Sequence, residues 1–266
     1  MKFKERYKTL LQLYRNRYSA KPSFTSRTLN AKQQAWLEDL KANGAVVIPD
    51  FLSSEECDAI KQSIENRIED FRKIQSSLDD SKQTKFGWEQ QDGCSVWKDR
   101  NEADYRIFKS ELVHPLIGAF NSNKEILDVG AAYLESDIFV KFTMSNRLEF
   151  KENNLGSGGG WHRDMVYKRG FKAMVYLTDV DEQSGPFQYL PGSAAANFHF
   201  AKVIKADQYQ FTHEELLQIV GGDESRIVTC TARKGTLLLF ETNMIHRGKP
   251  IESGHTRVAM TNYHNL

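Results

Sequence analysis

The chain has little cysteine, and what it has is scattered. Cys57, Cys94 and Cys230 are its only three in 266 residues. They form no C-x-x-C pair, which excludes a cysteine zinc site or dithiol redox motif, and they fit reduced thiols better than a disulfide framework. No apolar run approaches the roughly 20 residues of a membrane helix, so no integral membrane segment is expected. The basic N-terminus lacks a hydrophobic signal core, which argues against secretion and, with the thiols, for a cytoplasmic protein. A net charge of +1 marks no excess of either sign. There is no nucleic-acid fold signature, no internal repeat and no low-complexity segment. The glycines of 156–160 are followed by no G-K-[ST] and by a strand rather than a helix, which excludes a phosphate-binding P-loop or dinucleotide fingerprint. Nothing indicates an obligate protein partner.

What remains is a globular chain long enough for one sizeable core. Residues 172–178 (K-A-M-V-Y-L-T) are aliphatic, aromatic and β-branched, and are followed by turn chemistry in 179–186. Further short strands are expected at 187–190, 227–231, 235–240 and 256–262, and an alternating one at 137–144. Short strands at regular spacing, broken by Gly, Pro, Asn and Asp, indicate a mainly β barrel or sandwich.

Within this frame His162 and Asp164 stand two apart in G-G-G-W-H-R-D. Alternate strand residues share a face, so the pair offers an imidazole and a carboxylate side by side. One more His from a neighbouring strand would complete two histidines and a carboxylate, the facial set that holds Fe(II) and leaves positions open. His246 follows the 235–240 strand and Arg257 lies on the next, so two strands can bring both to one barrel mouth. His114, His199, His213, His255 and His264 read as ordinary structural histidines. His255 shares a strand face with Arg257 and is a candidate to support it.

W161-H-R-D164, G185-P-F-Q-Y-L-P-G-S193, G235-T-L-L-L-F240, H246-R-G and Arg257 together resemble the phytanoyl-CoA dioxygenase (PhyH) family, as does the opening segment 40–56. The resemblance spans residues 35–264. It implies a double-stranded β-helix (jelly roll, cupin-like) with flanking N-terminal helices. It also implies an Fe(II)- and 2-oxoglutarate-dependent dioxygenase that consumes dioxygen, releases succinate and carbon dioxide, and hydroxylates a small or carrier-linked molecule. On this resemblance His162, Asp164 and His246 are the catalytic metal ligands, and Arg257 binds the far carboxylate of 2-oxoglutarate. An Arg fork suits that carboxylate because it gives paired, charge-assisted hydrogen bonds. Asp164 stands where relatives that halogenate carry a small residue, which favours hydroxylation. A jelly-roll binding or regulatory protein without turnover, and a cupin-like metalloenzyme without 2-oxoglutarate, are the competing readings; Arg257 at this spacing favours the co-substrate.

Other candidates are less tightly marked. Lys141 and Thr143 share one face of the 137–144 strand and are candidates for the 2-oxoglutarate pocket. Trp97, Arg100, Arg163, Gln188 and Asn243 are candidate substrate contacts. Lys98, Arg100, Arg163, Lys168 and Arg169 hint at an anionic substrate. The segment 146–160 reads as a flap over the site. Residues 79–110 read as polar and irregular, a place for specificity loops. Residues 53–71 read as a helix capped at Ser53 or Ser54, its stripe of Ile60, Ile64, Ile68 and Phe71 facing a sheet.

Residues 1–34 carry nine basic side chains against Glu5 alone, with Phe3, Tyr7, Leu10, Leu11, Tyr14 and Tyr18 at helical spacing. They are expected to form a basic amphipathic extension ahead of a single oxygenase domain at 35–266. The extension either docks on the jelly roll with its basic face in water, or contacts an anionic surface or phosphorylated substrate, or is a trimmed leader.

Overall fold

The computed structural model describes residues 26–77, 89–91, 93–98, 103–164, 169–195, 198, 202, 204–205 and 207–264. The expected helix in the first 25 residues, together with Arg100, Lys168 and His199, lies outside that set.

Two helices open the described chain, separated by a short strand. α1 (Ala31–Asn43) starts at a reciprocal capping box between Asn30 and Gln33 and stops at Gly44, whose φ of 78° ends the helix in the left-handed region. It therefore runs through the expected boundary at residue 34. Strand β1 (Ala45–Ile48) follows. α2 (Ser54–Ser76) has Ser53 as its cap, again reciprocated by Glu56. Its Ile60, Ile64, Ile68 and Phe71 are buried in one cluster with Val175, Leu237, Leu239, Val258 and Met260 of the larger sheet. Each such side chain is worth about 1.5–3 kcal/mol of burial, which fixes the helix to the sheet. Helices α3 (Pro115–Asn121) and α4 (Lys124–Leu134) pack into the same cluster through Ile117, Phe120, Ile126 and Val129.

The strands are β2 (Glu89–Gln91), β3 (Cys94–Lys98), β4 (Asp104–Phe108), β5 (Val140–Glu149), β6 (Trp161–His162), β7 (Phe171–Tyr176), β8 (Phe187–Tyr189), β9 (Gln210–Phe211), β10 (Val228–Cys230), β11 (Leu237–Glu241), β12 (His246–Gly248) and β13 (Thr256–His264). A helix α5 (His213–Val220) lies between β9 and β10. The larger sheet has the order β1-β11-β7-β13-β5-β4-β3-β2, and the smaller β10-β8-β12-β6-β9. Among the described residues the paired strands are antiparallel throughout. This is the expected jelly roll.

Two segments differ from the sequence reading. β5 begins at Val140 and continues to Glu149, taking in 146–149, which read as loop; those residues pair with β13 on one side and β4 on the other. Residues 94–98 and 104–108 are strands, not irregular loop. They alternate polar with apolar, and the apolar side (Val96, Tyr105, Ile107) enters the cluster under the helices.

Register sorts the side chains. Directly opposed residues share a face, and Met174, Tyr176, Leu238, Phe240 and Ala259 meet Phe187 and Tyr189 of the smaller sheet in a second apolar cluster. That face is the barrel interior. By pairing, Lys172, Tyr263 and Phe142 form one row on it, and Arg257 and Leu148 belong to another row on the same face.

Candidate metal centre and co-substrate pocket

β12 lies against β6 so that His246 stands directly opposite His162. The two ring centroids are 4.4 Å apart. β6 ends at His162, so Asp164 is not placed by strand alternation alone. Its amide donates to the Thr242 carbonyl at 3.0 Å, which turns the carboxylate toward both imidazoles. Oδ1 is 3.5 Å from His162 Nε2, and Oδ2 is 3.6 Å from His246 Nε2. One ligand atom from each of the three residues lies within 4.8 Å of the others.

The tautomers suit a metal. His162 Nδ1 is 2.8 Å from the Gly160 carbonyl, and His246 Nδ1 is 2.8 Å from that of Met244. A carbonyl accepts only an N–H, so each Nδ1 carries the proton and each Nε2 turns its lone pair toward Asp164. Burial, and next the neighbouring His162, push the His246 pKa down to about 3. Burial alone would raise the Asp164 carboxyl, but Lys172 and the two histidines outweigh it and hold the group well below the usual carboxylate range. Two neutral imidazoles and one carboxylate are the donor set a ferrous ion takes.

The 156–160 loop sits directly on this centre. A β-carbon on Gly158, where φ is +88°, would overlap the His162 ring. Ser157 accepts from the Gly248 amide at 3.0 Å through its carbonyl.

Arg257 is 2% exposed on the interior face. One of its N–H groups donates to the Gly185 carbonyl, Nε has no partner, and among the described residues no carboxylate pairs with it. Burial pushes its pKa down, opposed by Tyr176 and Asp104. A buried guanidinium left this way is costly unless an anion joins it. A β-carbon on Gly248 would lie 3.2 Å from Arg257 Nη1, and Gly248 is two residues along β12 from His246. Two strand residues advance about 6.6 Å, so the guanidinium lies about one strand repeat from the His246 position.

The model of the Phytanoyl-CoA dioxygenase (PhyH) family matches residues 40–259. The chain belongs to that family. Ectoine dioxygenase from Bordetella bronchiseptica is 23% identical over 158 residues, covering 53% of this chain and 50% of the relative. The chain thus spans about half the length of that relative. Among solved structures, EctD from S. alaskensis with bound Fe superposes with a TM-score of 0.58 at 17% identity, covering 92% of this chain and 80% of that one. SnoK, a non-heme alpha ketoglutarate dependent carbocyclase from nogalamycin biosynthesis, gives 0.56 at 16% identity, covering 92% and 87%.

In this PhyH chain the remaining candidates disperse. Lys141 is exposed at the register shift of β5, and Thr143 faces the helices, not the interior, because the interior residues of β5 are Phe142, Met144 and Asn146. Thr143 is fully buried there, donating to Asn262 Oδ1 at 2.7 Å and accepting from Asn121 Nδ2 at 3.0 Å. Arg163 points away from its neighbours His162 and Asp164; its Nε donates to the Gln208 carbonyl at 3.0 Å. Gln188 faces outward from β8 between Thr229 and Arg247. Asn243 accepts from the Gly170 amide at 2.7 Å and braces the turn before β12. Trp97 pairs with Arg106 by register on the interior face of β3 and β4, with that guanidinium 4.8 Å over its ring. His255 lies beside Ser184 and Asp181.

Lys172 was not anticipated. Its ammonium is 2.8 Å from Asp164 Oδ2 and 4.2 Å from the centre of the Tyr263 ring. The available signal was a single ionisable residue opening an otherwise apolar strand.

Proposed function

We propose that this chain is an Fe(II)/2-oxoglutarate-dependent dioxygenase that hydroxylates an unactivated carbon of a small molecule. The observation that carries the reading is the pairing of a His-Asp-His cluster, both Nε2 atoms turned inward, with a buried arginine that makes no carboxylate ion pair among the described residues. In it, His162, Asp164 and His246 hold the ion, and Arg257 fixes the far carboxylate of the co-substrate. Iron with a 2-oxo acid and dioxygen supplies oxidation of a C–H bond, one oxygen atom going to the product and one to succinate as carbon dioxide leaves. The chain's own part is orientation and exclusion of water. Phe187 and Phe240 pack on the His246 ring at 5.6 and 5.8 Å, and the glycine loop covers His162.

The relatives named above support this reading, since their names record dioxygenase and alpha ketoglutarate dependent chemistry. The carbocyclase among them makes ring closure the second outcome for the same centre. An anionic substrate has less support than the sequence suggested. Arg163 is spent on backbone carbonyls, and Arg169 pairs with Glu241 at 3.1 Å. Trp97 is the substrate contact we retain.

The test is anaerobic titration of the purified protein with Fe(II) and then 2-oxoglutarate, read in the visible. A metal-to-ligand charge-transfer band, followed by substrate-dependent succinate release, is the expected result. Iron that binds without any band on adding the 2-oxo acid would move the chain to a cupin-like or binding-only role.

A further inference from the structure

We propose that Lys172 is a positioning residue for the metal carboxylate: it commits one oxygen of Asp164 to its own ammonium and leaves the other for the ion. The inference rests on the metal-binding reading above and goes one step beyond it.

Asp164 needs such a partner. It is the one anionic member of the cluster, it lies beyond the end of β6, and its two oxygens face two different imidazoles at 3.5 and 3.6 Å. Nothing in that arrangement alone decides whether one oxygen or both reach an ion. Lys172 breaks the symmetry. It projects from β7, an inner strand of the larger sheet, and its Nζ is 2.8 Å from Oδ2. The lysine is itself fixed. Tyr263 stands directly opposite it on β13, with the ammonium 4.2 Å from the ring centre, and Phe142 stacks on Tyr263 at 4.9 Å with an interplanar angle of 13°. A carboxylate that gives one oxygen to a metal and one to a held ammonium occupies a single coordination position. With two histidines it leaves three others of an octahedral ion, the number a chelating 2-oxo acid and dioxygen need together. A carboxylate free to bind through both oxygens takes one of those three. The positive charge of Lys172 opposes the ion, so its benefit lies in binding mode, not in raw metal affinity.

The experiment compares wild type, Lys172→Met and Lys172→Arg loaded anaerobically with Co(II), whose visible d–d bands report coordination number. Spectra are taken before and after 2-oxoglutarate, and the co-substrate is titrated into each loaded protein. Lys172→Met is expected to alter band position and intensity before any 2-oxoglutarate is added, and to weaken its binding on the order of 10-fold. Lys172→Arg is expected to restore the wild-type spectrum. A Lys172→Met protein with wild-type bands and wild-type co-substrate affinity overturns the proposal. Where Lys172→Met fails to fold by near-ultraviolet circular dichroism, Lys172→Gln carries the same comparison. His162→Ala is the separate control. If it keeps Co(II) as tightly as wild type, the metal reading itself fails, whatever Lys172 does.

Discussion

Arg257→Met should separate the two roles an arginine in this position can play. As the side chain stands, it has one hydrogen bond to the Gly185 carbonyl, an unpartnered Nε and 2% exposure. Replacing buried ionic groups by apolar ones is neutral or stabilising by about 1–4 kcal/mol. Leaving the Gly185 carbonyl without its donor costs about 1–3 kcal/mol. The terms nearly cancel, so the ligand-free variant should melt within a few degrees of wild type, at about 2–4 °C per kcal/mol for a domain near this size. Co-substrate binding should respond very differently. Removing one partner of a buried, hydrogen-bonded charge pair costs about 2–5 kcal/mol, or about 30- to 4,000-fold in Kd at about 1.4 kcal/mol per tenfold. At a 2-oxoglutarate concentration 100 times its wild-type Kd, the wild-type protein gains about 2.7 kcal/mol of stability and the variant at most about 0.9 kcal/mol. Thermal melts of the Ni(II)-loaded proteins with and without 2-oxoglutarate, with calorimetric titration alongside, read both effects. A variant that melts more than about 12 °C below wild type without ligands would make Arg257 a structural anchor, because that shift exceeds what the two opposed terms allow. A variant that binds 2-oxoglutarate within threefold of wild type would remove it from the pocket.

Three further outcomes are expected. Gly158→Ala should lower metal affinity while Gly159→Ala does not: both glycines have positive φ, +88° and +73°, but only Gly158 abuts the His162 ring. Equal effects on Co(II) binding would reduce the difference to backbone strain. Thr143→Val should cost about 1–3 kcal/mol in denaturant melts by stranding its partners, the buried Asn262 and the half-buried Asn121, with 2-oxoglutarate affinity unchanged. A co-substrate defect would return Thr143 to the pocket. Burial pushes the His264 pKa down to about 4, below its unfolded value of about 6.5. Below pH 6.5 the unfolded chain therefore binds a proton that the folded one refuses, and stability falls as pH drops from 6.5 to about 4, then levels. His264→Gln should flatten that part of the pH–stability profile by up to about 3 kcal/mol, and an unchanged profile would show that the ring is free to ionise.

The framework of this fold was legible because its strands are apolar on both faces or alternate cleanly, as 171–176 and 237–241 do. The metal residues were legible because ligand chemistry permits few side chains and the spacing of H-x-D is short. Failures came where a strand's two faces are both buried for different reasons. In β5 the residues facing the helices are Thr143, Ser145 and Arg147, and those facing the interior are Phe142, Met144 and Asn146. Alternation of polarity there points the polar side outward, not toward the pocket, because Thr143 meets Asn262 and Asn121 while aromatic and aliphatic groups line the barrel. Arg163 failed for a related reason. It sits between two site residues in sequence, and that same period of two sends it to the other side, onto the backbone carbonyls of Lys205 and Gln208. Lys172 was overlooked because a lysine in a strand is ordinarily a solvated residue; only the closeness of Asp164 across the two sheets gives it a role.

The site is divided between the sheets, and this sets how it responds to folding. His162 and His246 belong to the smaller sheet, with Asp164 just past the end of β6; Arg257 and Lys172 belong to the larger one. Neither sheet alone joins a ligand set to an anion site. Each brings groups that are unfavourable to bury by themselves: an imidazole held neutral, a guanidinium with no carboxylate ion pair among the described residues, an ammonium whose partner lies across the barrel. Packing the apolar layer of Met174, Tyr176, Leu238, Phe240 and Ala259 against Phe187 and Tyr189 is what forces them together. On the proposed function an iron ion and a diacid would relieve those buried charges, which would link ligand binding thermodynamically to closure of the two sheets. Metal and 2-oxoglutarate should consequently raise the melting temperature more together than the sum of each alone, because the ion completes the chelate and the diacid's far carboxylate answers Arg257. Strictly additive shifts would mean that the two halves of the site do not communicate through a single bound molecule.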